Sequence, residues 1–169
     1  MLIDNIPNIT EASGDDIPRL QELFTETVRN VNSEHYTPEE TEDWISCGDK
    51  ARWEDLFSHL IFYIATDKAG NILGFASVSK EGLLHSLFTD HRHLRQGVAK
   101  ALLKKTEEFA RKNGIKVLTS EVSITAKPLF EQMGFTVIKE QERKAKKLYL
   151  KNYIMKKPLY IIKPLPPKG

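Results

Sequence analysis

Residues 83–103 place an apolar run, Leu83 to Thr89, ahead of a small glycine-containing turn and then a helix start. That order constrains the fold more than any other part of the chain. A further apolar run, Val117 to Glu121, follows the helix, so the two strands pair roughly parallel across it. The layout also suits the holding of phosphate. Helix N-termini leave backbone N–H groups without partners, and the helix dipole adds positive potential there. Gly97 and Ala99 carry almost no side chain, so a pyrophosphate can approach the main chain closely. Arg95 and Lys100 add mobile positive charge beside it.

A chain of 169 residues with 40% apolar residues is read as one domain with a real core. Its boundaries are set at residues 1–157, with a Pro/Lys-rich tail at 158–169. Net charge is +2, too small to imply nucleic acid. Cys47 is the only cysteine, which excludes an internal disulfide and a thiolate metal cluster and fits a reducing compartment. The first residues have no basic n-region followed by a long apolar run, and no stretch approaches a membrane span. No signal peptide and no membrane association are expected, and a cytoplasmic location is.

Ile6 to Glu11 reads as a short edge strand. From Asp15 or Asp16 a helix begins, with Ile17, Leu20, Leu23, Phe24, Thr27, Val28 and Val31 on one face. Thr37-Pro38-Glu39-Glu40 starts a second helix with a cap, a proline at the first helical position and a capping box. It carries Trp44 and stops near Gly48. Arg52 to Leu60 adds a helical turn or two with Trp53 and Phe57. Ile61 to Ala65, Ile72 to Val78 and the run ending at Thr89 predict three antiparallel strands in series. Val98 to Asn113 is the clearest helix, capped by Gly114. Ala126 to Met133 is a short helix ended by Gly134. Phe135 to Lys139 and Leu148 to Met155 read as a last hairpin, and Lys156 to Gly169 as a loosely ordered tail.

Two segments together resemble the GNAT superfamily, the acetyl-CoA-dependent N-acetyltransferases. Leu94 to Leu103 is similar to that family's pyrophosphate loop, a Gln/Arg-x-x-Gly-x-Gly/Ala pattern. Ser123 to Phe135 is similar to its later segment, in which a small helix ends in Gly-Phe. The order of elements between Ile6 and Met155 also matches. Val31 to Glu39 with Trp44, and Leu150 to Met155, resemble a bacterial subgroup of small members. The resemblance implies an α/β (α+β) fold: a mixed, mostly antiparallel sheet of about seven strands, with one splayed parallel pair and flanking helices. It implies acetyl-CoA as co-substrate, seated between the splayed strands. Backbone from Leu87, Phe88 and Thr89 would pair with the acetyl-pantetheine arm. Amides of Arg95, Gln96, Gly97, Val98, Ala99 and Lys100 would hold the pyrophosphate. Thr125 and Phe130 would line the opposite wall, with Lys127 toward the nucleotide end.

The chain departs from the family pattern at three places. Leu94 stands where Gln or Arg is usual, Thr125 where Asn is common, and Phe130 where many members have Tyr. That Tyr is thought to protonate the leaving thiolate, which Phe cannot do.

The expected reaction is direct transfer of the acetyl group to a primary amine of a small molecule or peptide. Candidate bases are His85 and Glu121, and Tyr153 is a candidate acid. Tyr36, Trp44 and Trp53 are candidate walls for the acceptor, against the plainer reading of helix-spaced aromatics as core. The alternative to an enzyme is a catalytically silent acyl-CoA-binding module. His91 and His93 beside Asp90 lack an evident third ligand, so no metal is expected. The lysines from Lys144 to Lys168 read as a solvated face and tail without an aromatic stacking pattern, so no nucleic acid is expected either. The final strands offer an edge for a homodimer.

Overall fold

The computed structural model describes residues 6–159. Its strands are β1 (Asn8–Glu11), β2 (Ile61–Thr66), β3 (Ile72–Val78), β4 (Leu83–Thr89), β5 (Val117–Ser123), β6 (Thr136–Lys144) and β7 (Tyr149–Pro158). Its α-helices are α1 (Ile17–Asn30), α2 (Pro38–Ser46), α3 (Lys50–His59), α4 (Val98–Lys112) and α5 (Lys127–Gln132). The strands form one seven-stranded sheet in the order β1-β2-β3-β4-β5-β7-β6. Every pairing is antiparallel except β4 with β5. The expected fold class is therefore the one observed.

Local chemistry explains the helix starts. Thr37 accepts a hydrogen bond from the Glu40 amide at 3.1 Å, and Glu40 accepts from the Thr37 amide at 2.9 Å, so the capping box closes as the sequence predicts. Asp49 caps α3 by accepting from the Arg52 amide at 2.8 Å, which starts this helix two residues earlier than expected. In α1 the buried residues are Leu20, Leu23, Phe24, Thr27 and Val28, while Val31 lies at the C-terminal cap.

The sheet separates two cores. Alternation along β2 sends Phe62 and Ile64 to one face, against α1 and α3, and Tyr63 and Ala65 to the other, against α4. Burial of a side chain such as Leu102 of α4 contributes about 1.5–3 kcal/mol.

Three strands run two or more residues past their expected ends. β5 runs on to Ser123, β6 extends to Lys144 rather than Lys139, and β7 runs to Pro158. Lys156, Lys157 and Pro158 thus belong to a strand paired with Thr119, Leu118 and Val117, and not to a loose tail. Leu159 beyond them is buried and donates its amide to the Lys116 carbonyl at 2.7 Å. The rest of the expected tail, residues 160–169, lies outside the described residues. Almost all of β6 is exposed, so main-chain pairing with β7 orders it, and that leaves no hydrophobic period to read.

Candidate active site

β4 and β5 stay together for only two register positions, Leu83 with Thr119 and Leu84 with Ser120. Two hydrogen bonds fasten this closed end. Thr119 donates its amide to the Gly82 carbonyl at 2.9 Å, and Ser120 Oγ donates to the Leu84 carbonyl at 2.7 Å. Gly82 has φ +95, and a Cβ there would stand 2.7 Å from Ile115 Cγ2, so only glycine fits. Beyond this point the strands part. The opening is a cleft of about 900 Å³ that reaches both faces of the sheet. Leu87, Phe88 and Thr89 line one side, and Glu121, Ser123, Thr125 and Phe130 line the other.

The turn into α4 stands beside this cleft. Arg95 (φ 60) and Gly97 (φ 84) both adopt the left-handed region. Ala101 donates to the Gly97 carbonyl at 3.0 Å and closes the first helical turn. The amides of Val98, Ala99 and Lys100 precede it, and helix geometry gives them no intrahelical acceptor. A Cβ on Gly97 would meet nothing within 4 Å, so the main chain is open to approach. Leu94 and Ala99 reach the cleft wall. Arg95, Gln96, Gly97 and Lys100 are exposed on the turn, while Val98 is buried. This cradle fits an anionic diphosphate.

A β-bulge directs His85. Ser77 pairs with Ser86 and Val78 with Leu84, so His85 is the extra residue on β4. It lines the cleft with Glu121. Surrounding protein pushes the His85 pKa down, Arg52 and Arg143 push it further, and Glu121 opposes them. The residue as a whole is nevertheless exposed. The Glu121 carboxylate accepts from Gln141 at 3.1 Å and is paired with Arg143.

The remaining expected residues are divided between cleft and surroundings. Phe130 is buried and packs edge-to-face on Phe135 at 4.9 Å. Thr125 Oγ1 is 3.0 Å from His35 Nδ1. Tyr36, Trp44 and Trp53 all line the cleft, with Tyr36 edge-on to Trp44 at 5.6 Å. Trp53 also belongs to the core beside Phe24 and Phe75. Lys127 pairs with Glu131 at 3.6 Å and lies over the Tyr153 ring at 4.9 Å. The structure does not bring Tyr153 to the cleft. On β7 the cleft takes Asn152 and Ile154, whereas Tyr153 packs against the core on the opposite face.

His91 and His93 flank Asp90, whose carboxylate accepts from Arg19 at 2.8 Å and from Arg92 at 2.9 and 3.1 Å. Among the described residues no group of three His, Cys, Asp or Glu side chains is arranged to hold a metal ion. No described helix is long and apolar enough to cross a membrane. Sequence reasoning missed His35, Arg52, Arg143 and Asn152 in the cleft region. Isolated polar residues on exposed segments carry no local signal for such a role.

Comparison with known proteins agrees with this geometry. Residues 32–157 match the family described as an acetyltransferase (GNAT) domain. The chain is 32% identical over 141 residues to the uncharacterized N-acetyltransferase YafP of Escherichia coli K12, covering 83% of this chain and 89% of that protein. Among solved structures it resembles a GCN5-related N-acetyltransferase from Rhodopseudomonas palustris, with TM-score 0.89, 22% identity, and coverage of 94% and 99% of the two chains. It also resembles the PaiA N-acetyltransferase of Thermoplasma acidophilum in complex with coenzyme A, with TM-score 0.74, 19% identity, and coverage of 90% and 99%.

Proposed function

The chain belongs to the GNAT acetyltransferase family, a family of acyltransferases, and from that premise we propose that it transfers the acetyl group of acetyl-CoA directly to a primary amine. The observation that carries this reading is the parted β4–β5 pair with the amino end of α4 at its mouth.

The chain's own groups then divide the work. Backbone amides from Arg95 to Lys100 hold the pyrophosphate, and the edge of β4 at Leu87 to Thr89 aligns the pantetheine arm as an added strand. Thr125 and Phe130 form the facing wall, and Lys127 approaches the nucleotide end. Tyr36 and Trp44 wall the acceptor side. A β4 amide meets the charge that develops on the thioester oxygen. As the amine nitrogen bonds to the acetyl carbon and the carbon–sulfur bond breaks, His85 takes the amine proton. Its depressed pKa keeps the imidazole neutral and ready for this role near pH 7. Glu121, held by Arg143, tunes the histidine more than it competes with it. Phe130 has no proton to give and Tyr153 faces away, so the thiolate leaves as such and takes a proton from water.

Calorimetry with acetyl-CoA, followed by thiol release on a panel of amines, tests the reading. Saturable binding together with amine-dependent thiol release is the expected result. Binding without turnover on any amine identifies a silent acyl-CoA-binding module instead. No binding at all removes the assignment of the cleft.

A further inference from the structure

The acceptor end of the cleft has a charge pattern that acetyl transfer alone does not use. Among the described residues lining the cleft, Glu121 is the single carboxylate, against the cations Arg52, Arg143, Lys144 and Lys151. Glu121 is already committed to Arg143 and Gln141, and Lys151 is paired with Glu140. Arg52 reaches Asp55 only at 3.8 Å, with both side chains about half exposed, a contact of little strength. The end of the cleft near His85 is therefore net positive. Its cations come from separate elements, Arg52 from α3 and Arg143 and Lys144 from the end of β6. The chain has folded to bring them to one opening.

A second observation comes from β7. Asn152 Oδ1 is buried in the cleft wall without a hydrogen-bond partner among the described residues. A buried acceptor left unpaired is destabilising, so a donor on a bound ligand is its natural match. Asn152 pairs in register with Ser123 and Gln141. Arg143 pairs with Leu150, two residues away, which is roughly 7 Å along the strand. An N–H acceptor and a cationic patch thus lie within the span of one small molecule.

We propose that the acceptor is a primary amine bearing a free carboxylate, of amino-acid or dipeptide size. Arg52 and Arg143 hold the carboxylate, and Asn152 takes an N–H of the amine. This assignment rests on the acetyl-transfer reading and narrows it. It also disfavours polyamines, because a second ammonium group would face a net positive patch and no free carboxylate.

The test uses the full chain with saturating acetyl-CoA and follows thiol release. The probes are matched pairs: glutamate, methionine, phenylalanine and glycyl-leucine, each against its own C-terminal carboxamide, with spermidine as the polycation. The free acids should exceed their carboxamides in kcat/KM by about 10-fold, the scale of one charge-assisted contact. In Arg52→Gln and in Arg143→Gln that ratio should fall toward one, with acetyl-CoA affinity measured by calorimetry to confirm a folded cofactor site. Equal or faster turnover of the carboxamides or of spermidine overturns the proposal and leaves acetyl transfer standing. So does an acid-to-amide ratio unmoved by both variants. Acetyl-CoA binding with no thiol release on any probe overturns acetyl transfer itself, and the carboxylate assignment with it.

Discussion

The Tyr36 hydroxyl accepts the backbone N–H of Ile124 at 3.0 Å. It also donates to the Lys151 carbonyl at 2.5 Å. One side chain from the α1–α2 connection thereby ties the end of β5 to β7 just where the sheet has opened. Burial pushes the Tyr36 pKa up, so the hydroxyl remains a donor at working pH. Tyr36→Phe keeps the ring against Trp44 but removes both bonds and leaves two backbone groups unpaired. The expected cost is about 2 kcal/mol, or a fall in Tm of roughly 4–8 °C for a chain of this size. KM for the amine should rise as the acceptor wall loosens. Thermal unfolding and steady-state kinetics read the two effects, and an unchanged Tm would show that the bonds are replaced by water.

Gly97 has the open position that the cradle requires, and its φ of 84 adds a conformational cost to any side chain there. Gly97→Glu should lose about 1–2 kcal/mol of stability from the left-handed conformation. Its carboxylate would also stand where the diphosphate is proposed to sit. The dissociation constant for acetyl-CoA should increase by more than about 10-fold, which exceeds what so small a folding loss can cause. Calorimetry on the folded variant decides this. Unchanged affinity would place the phosphates elsewhere.

Much of this site was legible because its chemistry is local. The Gly97 turn, the Thr37 capping box and the apolar face of α1 each lie within a few consecutive residues. Other features depend on register, which local patterns do not carry. Tyr153 is visible as a residue of the last strand, but a one-residue shift decides its face, and Asn152 takes the cleft instead. His85 reaches the cleft through a bulge that strict alternation does not predict. Arg52 and Arg143 meet at one opening only after α3 and β6 are placed by the whole sheet. The charged second half of β6 conceals how far that strand runs.

Asp90 is 1% exposed and holds the segment between β4 and the phosphate turn. Its carboxylate accepts from the Arg92 side chain and amide and from Arg19. These bonds, those of Arg92 foremost, hold its pKa well below the usual 3.8 against the opposing effect of burial. The folded pKa is depressed, so the stability Asp90 supplies is complete above the unfolded value near 3.8 and is lost as pH falls below it. Asp90→Asn should cost about 2 kcal/mol at pH 7, discounted for the exposed Arg92. The gap between the urea midpoints of the two proteins should narrow as pH is lowered from about 5 to about 3. A constant gap across that range would mean that the carboxylate charge is not what matters.

His85 provides the sharpest check on the chemistry. A base works when neutral, so kcat/KM falls as pH drops through its pKa. That pKa lies below 6.5, chiefly because burial disfavours the imidazolium, then because Arg52 and Arg143 repel it. The acid limb of the rate profile should therefore lie below pH 6.5. Arg52→Gln removes a repelling cation, which raises the pKa and moves the limb to higher pH. Glu121→Gln removes the opposing anion and moves it to lower pH. His85→Gln should cost about 10²-fold in kcat and abolish the limb, while acetyl-CoA affinity is retained. Opposite displacements in two variants of opposite charge are difficult to produce by general loosening of the cleft. A limb that stays fixed in both, or survives in His85→Gln, assigns the proton to another group.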